Sequence, residues 1–200
     1  MKICIPVREK STARAALQIK KAQKEADFVE IWLDKIESEK AALLIKICKK
    51  PVIVVCRGLR EQGSFKGSEK ERIERLIKAV EAGAQFVDCG VQTSLNLIKK
   101  LKTATRRAGA KLIISEHFWK GTPSLGQLEK KVAKAKRMGA DIVKIATTVK
   151  NWSDNVVLFE LTARAAARGG GGYCCGDGRA GKNFSHRLCA AGRIFDLHCT

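Results

Sequence analysis

Two hundred residues, 45% of them hydrophobic and 30% charged, suit one ordinary domain and exclude a wholly disordered chain. The longest uncharged apolar run, residues 51–56, is too short to span a bilayer, and Arg8 and Glu9 cut off any signal-peptide stretch, so a soluble cytoplasmic protein without membrane contact is expected. Lys plus Arg is 39 against 20 acidic residues, but no single block carries the net charge of +19, and 6% aromatics leave few platforms for bases, so no nucleic-acid partner is expected.

Short Ile/Val-rich runs predict strands at 2–7, 28–34, 52–57, 86–91, 111–117 and 142–148, each apolar enough to be buried on both faces. Amphipathic stretches separate them. Ile73, Leu76, Ile77 and Val80 fall on one helical face, and Ser68 with Glu71 spells a capping box at its start. Ser124 with Gln127 repeats the device ahead of Leu128 and Val132. A weak internal repeat, Gly-Ala followed by an apolar strand, recurs at Gly83, Gly109 and Gly139, and residues 25–30 are the same unit without the glycine. The count is six βα units, the last helix starting near Ser153.

Six units leave two architectures. A doubly wound sheet would carry a glycine-rich phosphate loop after an early strand, and the first turns have none. An eight-stranded (β/α) barrel would gather polar side chains at the C-terminal ends of its strands. Glu30, Asp34, Arg57, His117 and Lys144 stand there, which favours a barrel with two units missing.

Lys144 interrupts the apolar strand Ile142–Ala146. At the strand's end it could snorkel to water; pointing inward, it would be costly unless paired or deprotonated, and a deprotonated amine is what Schiff-base chemistry uses. His117 is the only histidine outside the last 34 residues, and it suits either a structural role or acid–base work. Glu30 and Arg57 have surface ion pairs as their simple alternative.

Taken together, these segments resemble the type I 3-dehydroquinate dehydratases, over about residues 1–162. Glu30-Ile-Trp-Leu-Asp34 is similar to the family's Glu-x-Arg-x-Asp, and Arg57 to Gly63 to its Arg-x-x-x-Glu-Gly-Gly loop. Ser115 to Pro123 resembles Ser-x-His-Asp-Phe-x-x-Thr-Pro, and Val143-Lys144-Ile-Ala resembles the Schiff-base strand. The resemblance implies a TIM-barrel lyase of the shikimate pathway that removes water from 3-dehydroquinate with neither metal nor organic cofactor. It implies Lys144 as the imine-forming amine, His117 as acid and base, and Glu61 as the group orienting His117. Glu30, Arg57 and the residue at position 32 would bind substrate, and Arg57 would help keep the amine neutral. A homodimer is compatible with it. The chain departs from the pattern at Trp32, where the family has Arg, at Gly90, where Val-Asp-x-Glu is common, and at Phe118, where Asp is usual.

Residues 168–200 break the pattern. The last 34 residues hold four of the eight Cys, two of the three His and eight of the 17 Gly, without periodicity. Its Cys and His lack the paired spacing of a zinc site. The family's later Met-Gly and Gly-x-x-Ser-Arg segments are absent, yet the codons for Gly181 to Arg187, read one nucleotide later, permit Gly-Lys-Ile-Ser-Arg. An irregular, out-of-frame tail is the expectation, and with it an impaired enzyme. Two other classes remain: a basic RNA- or anion-binding remnant, and another Schiff-base lyase or aldolase.

Overall fold

The computed structural model describes residues 3–167, 172–177 and 196–197. Strands and helices alternate: β1 (Ile3–Val7), α1 (Thr12–Ala22), β2 (Phe28–Trp32), α2 (Ser38–Ile47), β3 (Val52–Val55), a short 3-10 turn (Leu59–Glu61), α3 (Glu69–Glu81), β4 (Phe86–Gly90), α4 (Leu95–Ala108), β5 (Lys111–Phe118), α5 (Leu125–Arg137), β6 (Ile142–Thr148) and α6 (Trp152–Ala167). All six predicted strands are present within a few residues of their expected limits. They pair in chain order, every pair parallel, into a half-barrel clothed by six helices.

The local devices are those the sequence spells. Ser68 accepts from Glu71 N while Glu71 accepts from Ser68 N, and Ser124 and Gln127 form the second capping box. Gly83, Gly109 and Gly139 all have positive φ, the left-handed turn that ends a helix and feeds the next strand.

Each strand is buried on both faces for two different reasons. Its outward residues, such as Val29, Ile31, Val54, Val87, Leu112, Ile114, Val143 and Ile145, join the helices in the larger core. Its inward residues form a second apolar layer with one member from each strand: Cys4, Phe28, Ile53, Ile113 and Ile142, with Phe86 against them. Phe28 and Phe86 meet edge-on at 5.7 Å. That layer closes the floor of the half-barrel.

Two short stretches after residue 167 extend the sheet. Gly172–Asp177 runs parallel to β6 as β7, and Asp196–Leu197 runs parallel to β1 as β8. An open parallel sheet presents unpaired N–H and C=O groups along both edges, and these short stretches satisfy part of each. The tail's His186, His198, Cys189 and Cys199 lie outside the described residues. Among the described residues no helix is long and apolar enough to cross a membrane.

Candidate active site

Side chains alternate along a strand, so residues two and four beyond the apolar floor also point inward. Two beyond it stand Glu30, Asp88, Ser115 and Lys144. Four beyond it stand Trp32, Arg57, Gly90 and His117. The pleat thus stacks a polar layer directly on an apolar one.

Lys144 Nζ donates to Glu30 Oε2 at 2.9 Å and to Asp88 Oδ2 at 3.1 Å. Arg57 Nη2 donates to the same Asp88 oxygen at 3.3 Å, and Ser115 Oγ donates to Asp88 Oδ1 at 2.5 Å. All four charged residues are buried, none more than 4% exposed. Two cations against two carboxylates make the group neutral as a unit, which is the condition for holding charges away from water. Burial opposes ionisation of Asp88, but Lys144 and Arg57 outweigh it and hold the carboxyl down at about 2.

Arg57 is fixed at both ends. Its backbone N–H donates to Asp34 Oδ1 at 2.7 Å, while Asp34 Oδ2 takes Ser64 N–H at 2.9 Å. Its Nη1 lies 3.0 Å from His117 Nδ1. A guanidinium only donates, so Nδ1 is the acceptor and the ring proton of neutral His117 sits on Nε2. Burial, then the positive charges of Arg57 and Lys144, push His117 down to about 3, so the imidazole is neutral across the physiological range. Trp119 stacks on it, with centroids 5.2 Å apart and planes 21° apart.

Of the expected site residues, Lys144, Glu30, Arg57 and His117 come together. Lys144 does not snorkel. The contribution assigned to Arg57, favouring a neutral amine, is opposed by the two carboxylates in direct contact with Nζ, which favour the ammonium. Glu61 is not on His117: Arg57 stands there instead. The Glu61 carboxyl lies under Gly90 and 3.8 Å from Arg72 Nη1, with its pKa raised by burial. Arg72 itself is anchored by Cys56 O at 3.1 Å and Thr93 Oγ1 at 2.8 Å. Trp32 Nε1 donates to Glu30 Oε1 at 2.9 Å, so the indole holds the carboxylate that holds the lysine. Phe118 faces the helices, where it packs on the larger core with Lys131 Nζ 5.8 Å from its ring centroid.

Asp88, the hub of the cluster, was not among the expected site residues. A signal for it existed. In the internal repeat, Glu30, Asp88 and Lys144 occupy the same place, the residue after Phe-Val, Phe-Val and Ile-Val. Three ionisable residues at one repeat position of alternate strands, β2, β4 and β6, point at one another.

A family model described as type I 3-dehydroquinase matches residues 3–170. The bifunctional 3-dehydroquinate dehydratase/shikimate dehydrogenase of Arabidopsis thaliana chloroplasts is 34% identical over 168 residues, covering 82% of this chain; the chain spans only 28% of that protein. The 3-dehydroquinate dehydratase of Methanothermobacter thermautotrophicus is 35% identical over 164 residues, 80% of this chain and 72% of the relative. The crystal structure of the Geobacillus kaustophilus 3-dehydroquinate dehydratase superposes with a TM-score of 0.80 at 24% identity, over 90% of this chain and 74% of that one, and so bears on the fold. The chain belongs to the type I 3-dehydroquinase family, hydro-lyases of the shikimate pathway with a TIM-barrel-type fold.

Proposed function

We propose that this chain forms the family's imine on Lys144 and that the steps after it are slow. The observation that carries this is the placement of Nζ, buried and inward-facing between Glu30 and Asp88. In the reaction, Nζ first gives up a proton. It then attacks the ketone carbon of 3-dehydroquinate, and water leaves as the iminium forms. Loss of a proton from the neighbouring carbon sends its electron pair into the iminium, and the resulting enamine expels hydroxide, which takes a proton and departs as water. Hydrolysis of the imine releases 3-dehydroshikimate and the amine.

His117 is the residue for the proton transfers, and here its basic nitrogen is occupied by Arg57 while Nε2 carries hydrogen. It must release Arg57 before Nδ1 can accept a proton, a step that Glu61, turned toward Arg72, does not assist. The reading includes a cytoplasmic location, 3-dehydroquinate as the small-molecule partner, and a homodimer as the assembly to check by sedimentation.

Borohydride reduction in the presence of 3-dehydroquinate, followed by intact mass and peptide mapping, tests it. A covalent adduct on Lys144, with turnover well below the ordinary enzyme value of about 10 s⁻¹, is the expected outcome. An adduct-free protein, or one with turnover at or above that value, overturns it.

A further inference from the structure

Arg8 is the one Lys or Arg of the inward set with no acidic partner among the described residues. It follows β1, four residues beyond Cys4 of the apolar floor, and so it keeps the inward parity of that strand. Register confirms the level: Pro6 pairs with Glu30 and Val7 with Ile31, which sets Arg8 abreast of Trp32 at the mouth of the half-barrel. Its guanidinium carbon lies 3.9 Å from the Trp32 ring centroid, and that of Arg57 lies 5.3 Å from the same ring. From Arg8 a continuous line of contacts runs inward: Trp32 ring, Trp32 Nε1 to Glu30 Oε1, Glu30 Oε2 to Lys144 Nζ.

The chemistry of that arrangement is specific. Every other cation of the site is matched: Lys144 with Glu30 and Asp88, Arg57 with Asp88, Arg72 with Glu61 and Glu69. Arg8 has only the face of an aromatic ring, and it is exposed. Stacking uses the face of a guanidinium and leaves its in-plane N–H edge open, the edge that fits a planar carboxylate with two parallel hydrogen bonds. Stacking also restrains a side chain that would otherwise lose much rotamer freedom on binding an anion.

We propose that Arg8, laid on Trp32, recognises the carboxylate of the ketone substrate that Lys144 attacks. The residue at position 32 then acts indirectly: it presents a guanidinium from the neighbouring strand. The ligand class is a small cyclic keto acid, its carbonyl inward at Nζ and its carboxylate outward at Arg8. This rests on the imine reading of Lys144.

The test compares two ketones, 3-dehydroquinate and the uncharged cyclohexanone, by the concentration needed for half-maximal borohydride trapping on Lys144. In Arg8→Ala, half-trapping by 3-dehydroquinate is expected to need about ten times more ketone, the equivalent of losing one charge-assisted contact, while cyclohexanone trapping is unchanged. Arg8→Lys, which keeps the charge and loses the fork, should fall between. Unchanged 3-dehydroquinate trapping in Arg8→Ala overturns the proposal and leaves the Lys144 reading standing. An equal shift for both ketones also overturns it, showing that Arg8 only supports Trp32. No adduct with either ketone in the unsubstituted protein overturns the Lys144 reading, and this proposal with it.

Discussion

The carboxyl of Glu61 occupies the volume that a side chain at position 90 would fill: a Cβ built on Gly90 would fall on Glu61 Oε1. Position 90 ends β4 with inward parity, so any residue there other than glycine would project into the polar layer. With glycine in place, Glu61 folds beneath the strand end toward Arg72, and His117 takes Arg57 as its neighbour. The absence of a side chain on one strand thus redirects a carboxylate that the family resemblance pairs with His117.

Gly90→Ala should therefore push aside the Glu61 carboxylate, the free end of a flexible side chain, and destabilise the fold by no more than about 1 kcal/mol. The cost should shrink in a Glu61→Ala background, where the obstacle is gone. Denaturant unfolding of the two single variants and the double variant measures the coupling, and strictly additive values would rule out the contact.

Asp88 partners both buried cations, so removing its charge takes one carboxylate from each of Lys144 and Arg57, while Lys144 keeps Glu30. Asp88→Asn is expected to cost about 3–5 kcal/mol, as for breaking a buried ion pair on one side. Ser115→Ala removes only the hydroxyl that donates to Asp88 and should cost about 1 kcal/mol. Equal losses for the two would mean that the cluster's charges are better solvated than their burial indicates.

The pH dependence of stability has a sign that His117 sets. Its pKa falls from 6.5 when unfolded to about 3 when folded. Above 6.5 both states are neutral and His117 contributes nothing to the slope. Below it the unfolded chain binds a proton that the native site refuses, so stability is lost progressively as pH falls toward 3. Asp88, lowered from 3.8 to about 2, adds its own loss only below 3.8. Between pH 6.5 and 4 the His117→Asn variant should lose about one proton's worth of this slope, read from urea midpoints at stepped pH. An imidazole that titrates by NMR near 6.5 in the native protein would contradict the site.

The tail makes a prediction at the level of the gene. The family match ends at residue 170, beside the compositional break at Arg168. Sequencing the bases across the codons for Thr162 to Cys175 should show a one-base insertion or deletion, with an open alternative frame encoding Met-Gly and Gly-x-x-Ser-Arg. A closed alternative frame refutes the frameshift reading.

Much of the architecture follows from one-dimensional patterns. Val52–Val55 must be buried on both faces because every residue in it is apolar, and a strand buried twice belongs to a parallel sheet under helices. Ser68 with Glu71, and the glycines at 83, 109 and 139, punctuate the units through hydrogen bonds and φ values that depend only on neighbours a few residues away. The edges of β7 and β8 were not readable in this way, because pairing of short unpatterned backbone answers to an available sheet edge and not to side-chain period.

The site divides along the same line. Local sequence singled out Glu30, Arg57, His117 and Lys144 on or just beyond the strands, since strand boundaries and motif spacing are short-range properties. Which of them touch is decided by register and by volume across the sheet, between residues separated by as many as 114 positions. That is why Asp88 took the centre, why Arg57 and not Glu61 met His117, and why Arg8 came to rest on Trp32. Sequence by itself determined the parallel half-barrel and the chemistry available at its mouth, because periodicity and turn residues act locally. Only the tertiary structure decided who neutralises whom, because a buried charge chooses its partner by distance in space.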